Sequence, residues 1–234
     1  MTSQYDAAKS SLLDAALIHV PFDGWSETTF RAAVSDSGVE PGLARAMFPR
    51  GAVDLALAYH DLGDQAMLNR LATTDMTRMK IREMIAFAVR TRIKASEDKE
   101  AVRRGMALFA LPIHAADGAR AIWGTSDLIW NAIRDTSDDY NWYTKRATLS
   151  AVYSVTILFW LGDDSIDTQA TWDFLDRRIE NVMQIEKVKA QVNNSLLLKP
   201  FLAAPNWILS HVKAPARMPK MDLPGFHTSP SDES

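Results

Sequence analysis

Side chains able to do chemistry are few and scattered in this chain. Its 234 residues include five histidines and no cysteine, so disulfides and thiolate metal sites are excluded and any metal would rest on imidazoles and carboxylates. A di-iron carboxylate site in a helical bundle needs repeated Glu-x-x-His spacings, and none occurs. His114 and Asp117 stand one helical turn apart. That spacing can ligate a metal, but a lone pair is more often a contact on a helix surface. Asp163-Asp164-Ser165 reads as a helix end leading to a cap at Asp167 or Thr168. Glycine-rich phosphate loops and nucleophile elbows are missing too, so the sequence points to a protein that is not an enzyme, with no metal and no cofactor.

What is dense instead is apolar and aromatic surface. Trp123, Trp130, Trp142, Tyr143, Tyr153, Phe159, Trp160, Trp172 and Phe174 crowd into three successive helical segments. Most such side chains are core. The stretch "LSAVYSVTILFWL", however, is apolar nearly all round, which makes that helix central, shared with a second subunit, or the wall of a cavity. The apolar helical faces offer Phe87, Phe109, Trp123, Trp130, Tyr153, Phe159 and Trp160 as candidate cavity-lining residues, any of which could be plain core.

A second oily run, "LLLKPFLAAPNWILSHV" (Leu196 to Val212), is interrupted by Lys199, Pro200, Pro205 and Asn206. A bilayer-crossing helix needs about 20 mostly apolar residues, so this run does not span. At 100° per residue, Ala203, Asn206, Ser210 and Lys213 fall within about 40° of Lys199 and form a narrow polar stripe. Leu197, Phe201, Ile208 and Val212 point the opposite way, Leu198 and Leu202 flank them, and Trp207 lies nearer an edge. A helix lying in a membrane interface has this pattern, and so does a last core helix docked on a bundle.

The elements that would position these residues are helices. Alternating strand patterns are absent, and the periodicity predicts an all-α chain of about ten helices. The first is capped at Ser10 or Ser11 and stops before Pro21, the second runs from Glu27 or Thr28 to Ser35, and the third from Pro41 to Met47. A fourth is initiated by Pro49 and ends near Gly63. Longer helices follow at roughly 66–75, 77–94, 98–109, 113–135, 141–161, 168–190 and 196–212. The expected organisation is an N-terminal module (1–65), a ligand-binding helical domain (66–190), an amphipathic membrane-surface helix (191–213) and a disordered tail (214–234). The chain is 47% hydrophobic and 24% charged with a net charge of −3, ordinary for a folded protein and without general attraction to nucleic acid. Its first twenty residues lack the features of a secretion signal or transit peptide, which predicts a cytoplasmic or already processed protein.

"LLDAALIHVPFDGWSETTFRAAVSDSGVEPGLARAMFPRGAVDLAL" resembles the helix-turn-helix module of tetracycline-repressor-type regulators in helix lengths and turn positions. DNA binding by such a module depends on neutralising phosphates. Residues 1–65 hold four bases, Lys9, Arg31, Arg45 and Arg50, against nine acids, Asp6, Asp14, Asp23, Glu27, Asp36, Glu40, Asp54, Asp61 and Asp64. The would-be reading helix also opens with Glu40-Pro41-Gly42, where a reader needs cations or hydroxyls. The fold is expected; nucleic acid is not an expected partner.

"NWYTKRATLSAVYSVTILFWLGDDS", "TWDFLDRRIENVMQIEKVKAQV" and "MFPRGAVDLAL" resemble the coenzyme Q (ubiquinone) biosynthesis accessory proteins, ninth in the yeast naming series, from about residue 8 to 212. The resemblance implies a tetracycline-repressor-like fold that binds an isoprenoid quinone precursor or other lipid. It also implies a partner patch for the di-iron demethoxyubiquinone hydroxylase at Trp142 and Tyr143, and a peripheral seat on the inner membrane (the matrix side of a mitochondrion if the chain is eukaryotic) through the C-terminal helix. A homodimer is expected. The alternative is a ligand-responsive transcription regulator using the same cavity as its sensor; a scaffold without a pocket is a third reading.

Overall fold

The computed structural model describes residues 2–96, 98–137 and 140–194, with side chains from residue 4 to residue 184 apart from Tyr140. These residues form nine α-helices and one short 3-10 helix, with no strand among them. The helices are α1 (Thr2–Asp23), α2 (Glu27–Ser37), α3 (Pro41–Met47), α4 (Ala52–Ala72), α5 (Ile81–Lys94), α6 (Lys99–Phe109), α7 (Ala115–Ala132), α8 (Tyr140–Leu161) and, after the 3-10 turn Ile166–Thr168, α9 (Gln169–Asn194). The all-α expectation is met. Leu197, Leu198, Phe201, Leu202, Trp207, Ile208 and Val212, and the tail at 214–234, lie outside the described residues.

Local chemistry sets the helix ends, and several differ from expectation. The α1 helix starts before Ser10 and carries Pro21 in its last turn. A proline there forfeits only one hydrogen bond, and the Gly24 amide still reaches the Val20 carbonyl at 2.9 Å. Ser26 caps α2 by accepting from the Thr29 amide, and left-handed Gly38 ends it. The Glu40 carboxylate accepts from the Gly42 and Leu43 amides at 2.9 and 2.7 Å, so it works as the α3 cap. These two bonds hold its pKa below the ordinary carboxylate value. Arg50-Gly51 forms a turn, so α4 starts at Ala52 rather than Pro49, and it then runs through Gly63 without a break. For α9 the expected caps Asp167 and Thr168 are wrong: both sit at positive φ in the 3-10 turn. Asp163 accepts from the Thr171 amide at 2.8 Å and Ser165 from the Ala170 amide at 3.0 Å.

Two apolar cores result. The first gathers Leu12, Leu13, Ala16, Val20, Trp25, Phe30, Phe48 and Leu55 with Ala101 of α6. The second gathers Met67, Leu71, Val89, Ile93, Ile129, Leu149, Tyr153, Trp160, Trp172 and Leu175. The α4 helix contributes to both, its first half to one and its second half to the other. Because α4 is continuous, it fixes the two cores relative to each other. The apolar α8 is two-faced: Leu149, Val152, Tyr153, Thr156 and Trp160 are buried, while Ala147, Ala151, Val155, Leu158 and Phe159 are exposed.

Candidate functional site: a cavity between the cores

Where the two cores meet, the helices leave a cavity of about 400 Å³, within the range of small-molecule sites. Its wall comes from Trp25, from α4 (Ala56, Tyr59, His60), α5 (Arg92, Ile93), α6 (Ala101 to Phe109), α7 (Gly118 to Ile122) and α8 (Tyr153, Ile157, Trp160). Small residues open this space. Any side chain at Gly118 would place its Cβ 2.7 Å from the Phe109 Cβ, so only glycine lets α7 approach α6 this closely. Trp25 is tied to α6 by its indole N–H, which donates to the Ala101 carbonyl at 3.0 Å.

The wall is apolar except at one buried end. There Arg92 of α5, 2% exposed, reaches across α4 and donates through Nε to Asp64, through Nη1 to Ser96 at 2.8 Å and through Nη2 to the His60 carbonyl at 2.8 Å. Thr125 of α7 approaches the Asp64 carboxylate at 2.9 Å, and His60 Nε2 lies 2.8 Å from the same threonine oxygen. An ionised carboxylate only accepts, so Thr125 donates to Asp64 and His60 Nε2 donates to Thr125. Burial, reinforced by the neighbouring Arg92 charge, pushes the His60 pKa down to about 4, which keeps the imidazole neutral near pH 7. Burial likewise pushes the Tyr153 phenol up to about 12. The result is a charge-balanced polar floor under an apolar cavity, equipped for binding; no nucleophile and activating base stand together in it.

Of the seven expected lining residues, Phe109, Tyr153 and Trp160 face this cavity. Trp130 does not: it lines a second cavity of about 420 Å³ between α5, α7, α8 and α9, with Ile85, Leu149, Val152, Ile179 and Val182. Phe87 packs against the second core. Phe159 is on the outer face of α8, its ring stacked on Phe174 at 4.5 Å. Trp123 turns away from the cavity toward Trp142, 6.1 Å between ring centres. Apolar periodicity finds buried faces but cannot tell which buried face borders a void. His60, Arg92 and Asp64 escaped sequence reasoning because their chemistry exists only across three helices.

Trp142 and Tyr143 form a half-buried aromatic pair, edge to face at 4.8 Å. Beneath them Arg146, 1% exposed, holds its guanidinium 3.9 Å from the Trp142 ring centre and donates to Asp127. The Trp-Tyr-x-x-Arg spacing thus puts the arginine one turn below the tryptophan it braces. His114 and Asp117 hold no common ligand: Asp117 accepts from Arg50 at 2.8 Å and from Arg120 at 3.2 Å, and the described residues contain no group of three metal-ligating side chains.

The helical order is that of a tetracycline-repressor-like fold. A TetR transcriptional regulator from Nitrosomonas europaea superposes with a TM-score of 0.62 at 19% identity, over 74% of this chain and 95% of that one, a likeness of fold alone. Residues 115–186 match the COQ9 family model. The Drosophila melanogaster "Ubiquinone biosynthesis protein COQ9, mitochondrial" is 30% identical over 194 residues, 81% of this chain and 59% of that protein. The Schizosaccharomyces pombe relative is 29% identical over 82% of this chain and 76% of its own length. The human COQ9 is 27% identical over 79% of this chain and 60% of its own length. The chain thus spans about three fifths of the length of the fly and human relatives. The resemblance to the COQ9 proteins read from the sequence is borne out over most of the chain.

Proposed function

We propose that this protein acts in ubiquinone biosynthesis as a non-catalytic accessory: it binds an isoprenoid quinone precursor, or another lipid, in the cavity between its cores and presents it to the demethoxyubiquinone hydroxylase. The observation that carries this reading is the cavity of about 400 Å³ walled by Trp25, Phe109, Ile122, Ile157 and Trp160. An apolar space of this kind shields a molecule that water rejects. The names of the relatives, "Ubiquinone biosynthesis protein COQ9, mitochondrial", support the ubiquinone-biosynthesis part of this reading and, for a eukaryotic chain, a mitochondrial setting.

In this reading the protein sits on a membrane surface through Leu197, Leu198, Phe201, Leu202, Trp207, Ile208 and Val212. Among the described residues no helix is long and apolar enough to cross a membrane. Trp142 and Tyr143, aromatic, half-buried and braced from below, form the patch for the hydroxylase, and the exposed apolar stripe of α8 is the face a second copy would cover. The regulator reading is weakened by what the few bases of the N-terminal module already do. Arg45 pairs with Glu27 and lies over Phe30, and Arg50 is shared by Asp54 and Asp117, so phosphates would have to displace internal acids.

Mass spectrometry of lipid extracted from the purified chain tests the cavity, and flotation with liposomes tests the membrane seat. An isoprenoid quinone precursor in the extract, with flotation lost on removal of residues 196–212, is the expected result. An extract free of lipid, together with specific DNA binding at physiological salt, would reverse the ranking in favour of the regulator.

A further inference from the structure

The polar floor of the cavity has one donor left over. Among its polar lining groups, His60 is engaged with Thr125, Arg92 with Asp64, Ser96 and the His60 carbonyl, and Ser154 with the Ser150 carbonyl of its own helix at 2.8 Å. Tyr59 is engaged as well. Tyr153 is 1% exposed, lines the cavity, and has no hydrogen-bond partner among the described residues. Its ring lies 6.0 Å from the Arg92 guanidinium. Tyr153 borders space large enough for a ligand, and a polar group on such a wall takes its partner from whatever fills the space.

The charge at this floor is already balanced. Arg92 is the one cation on the wall, and Asp64 directly behind it is its counter-ion. An anionic headgroup brought here would be an uncompensated charge at a buried floor or would have to strip Arg92 from Asp64, either of which opposes binding. The cavity also has a direction. Arg92, Ile93 and Tyr153 at the floor are fully buried, whereas Ala110, Ala115 and Ala119 at the α6–α7 corner are exposed. Beside that corner Leu111 and Ile113 stand 49% and 79% exposed. Polarity is therefore deepest inside and grease lines the lip, the reverse of a site that leaves a headgroup in water.

We infer that the Tyr153 hydroxyl is the donor that receives an uncharged oxygen acceptor, such as a quinone carbonyl, and that the ligand enters headgroup first with its tail trailing past the α6–α7 corner. This rests on the reading of the cavity as a lipid site and adds the residue that selects the lipid. Burial keeps the phenol protonated over the whole physiological range, so the donor is always available.

The full chain, loaded with Nile red, is titrated with a short-chain prenylated benzoquinone, with squalene as a headless hydrocarbon, and with a fatty acid of similar length. The quinone displaces the dye at the lowest concentration. Tyr153→Phe raises the Kd of the quinone about five-fold, the equivalent of one neutral hydrogen bond, and leaves squalene within about two-fold. Independently of how the variant folds, the infrared carbonyl stretch of the quinone bound to the unmodified protein moves below its position in hydrocarbon solvent. An unshifted carbonyl, equal losses for quinone and squalene, or a fatty acid that binds as tightly as the quinone overturns the assignment of Tyr153. A protein that binds none of the three overturns the lipid reading itself, and this inference with it.

Discussion

His60 shows how much one buried side chain can govern. In the unfolded chain its imidazole takes a proton near pH 6.5, but in the folded protein burial and Arg92 delay protonation to about pH 4. Between these values the unfolded state binds more protons than the native one, so stability falls as the pH is lowered through that window and is constant, for this group, above it. The spread of about 2.5 units corresponds to about 3 kcal/mol. Urea unfolding followed from pH 7 to pH 4 should therefore give a steeper decline for the unmodified protein than for His60→Asn, which has no proton to bind. Parallel curves would mean that the imidazole is not held neutral by its surroundings. Asp64 pulls in the opposite direction, but burial and the guanidinium prevail, which is why the polar floor is uncharged in sum.

At the scale of the element, the crossing of α4 and α5 depends on a single missing side chain. A Cβ at Gly63 would stand 2.3 Å from Arg92 Nη1 and 2.6 Å from its Cζ, and that guanidinium is fixed by three partners. Gly63→Ala would raise helix propensity by about 1 kcal/mol, yet displacing Arg92 from buried Asp64 costs about 3–5 kcal/mol. The net expectation is a loss of about 2–4 kcal/mol and a fall in Tm of about 5–15 °C in thermal unfolding. Gly124 in α7 has nothing within 4 Å of its would-be Cβ, so Gly124→Ala should be neutral or stabilising by up to about 1 kcal/mol. If both substitutions acted alike, the tight crossing would not be what Gly63 serves. The same glycine explains what the sequence could and could not disclose. The order of the helices and most of their spans follow from local periodicity, and they were legible. Gly63 reads locally as a terminator because the arginine that requires it lies 29 positions away in the chain. The start of α1 was missed since Gln4, Tyr5, Asp6 and Ala7 are exposed and carry no apolar rhythm. For the site, apolar faces mark the interior and so led to Phe109, Tyr153 and Trp160, which border the cavity, whereas Phe87 and Trp130 lie inside without bordering it and Phe159 is on the outer face of α8.

For the whole molecule, the decisive feature is that two cores share one helix and one cavity. Leu55 and Ala56 of α4 belong to the first core and Met67 and Leu71 to the second. An interruption of α4 at Gly63 would have let the two halves unfold separately. Continuity instead predicts a single transition, with Trp fluorescence and helical circular dichroism melting together. A ligand seated in the cavity touches both cores at once, through Trp25 and Ala56 on one side and Ile93, Tyr153 and Trp160 on the other. It must therefore stabilise the molecule as a unit. At a free concentration 100 times its Kd, a prenylated quinone should add about 2.7 kcal/mol and raise that single Tm by about 5–10 °C. The measurement is a thermal melt by both probes with and without ligand. Two transitions, only one of which moves, would show that the ligand grips a single half and that α4 does not couple the cores.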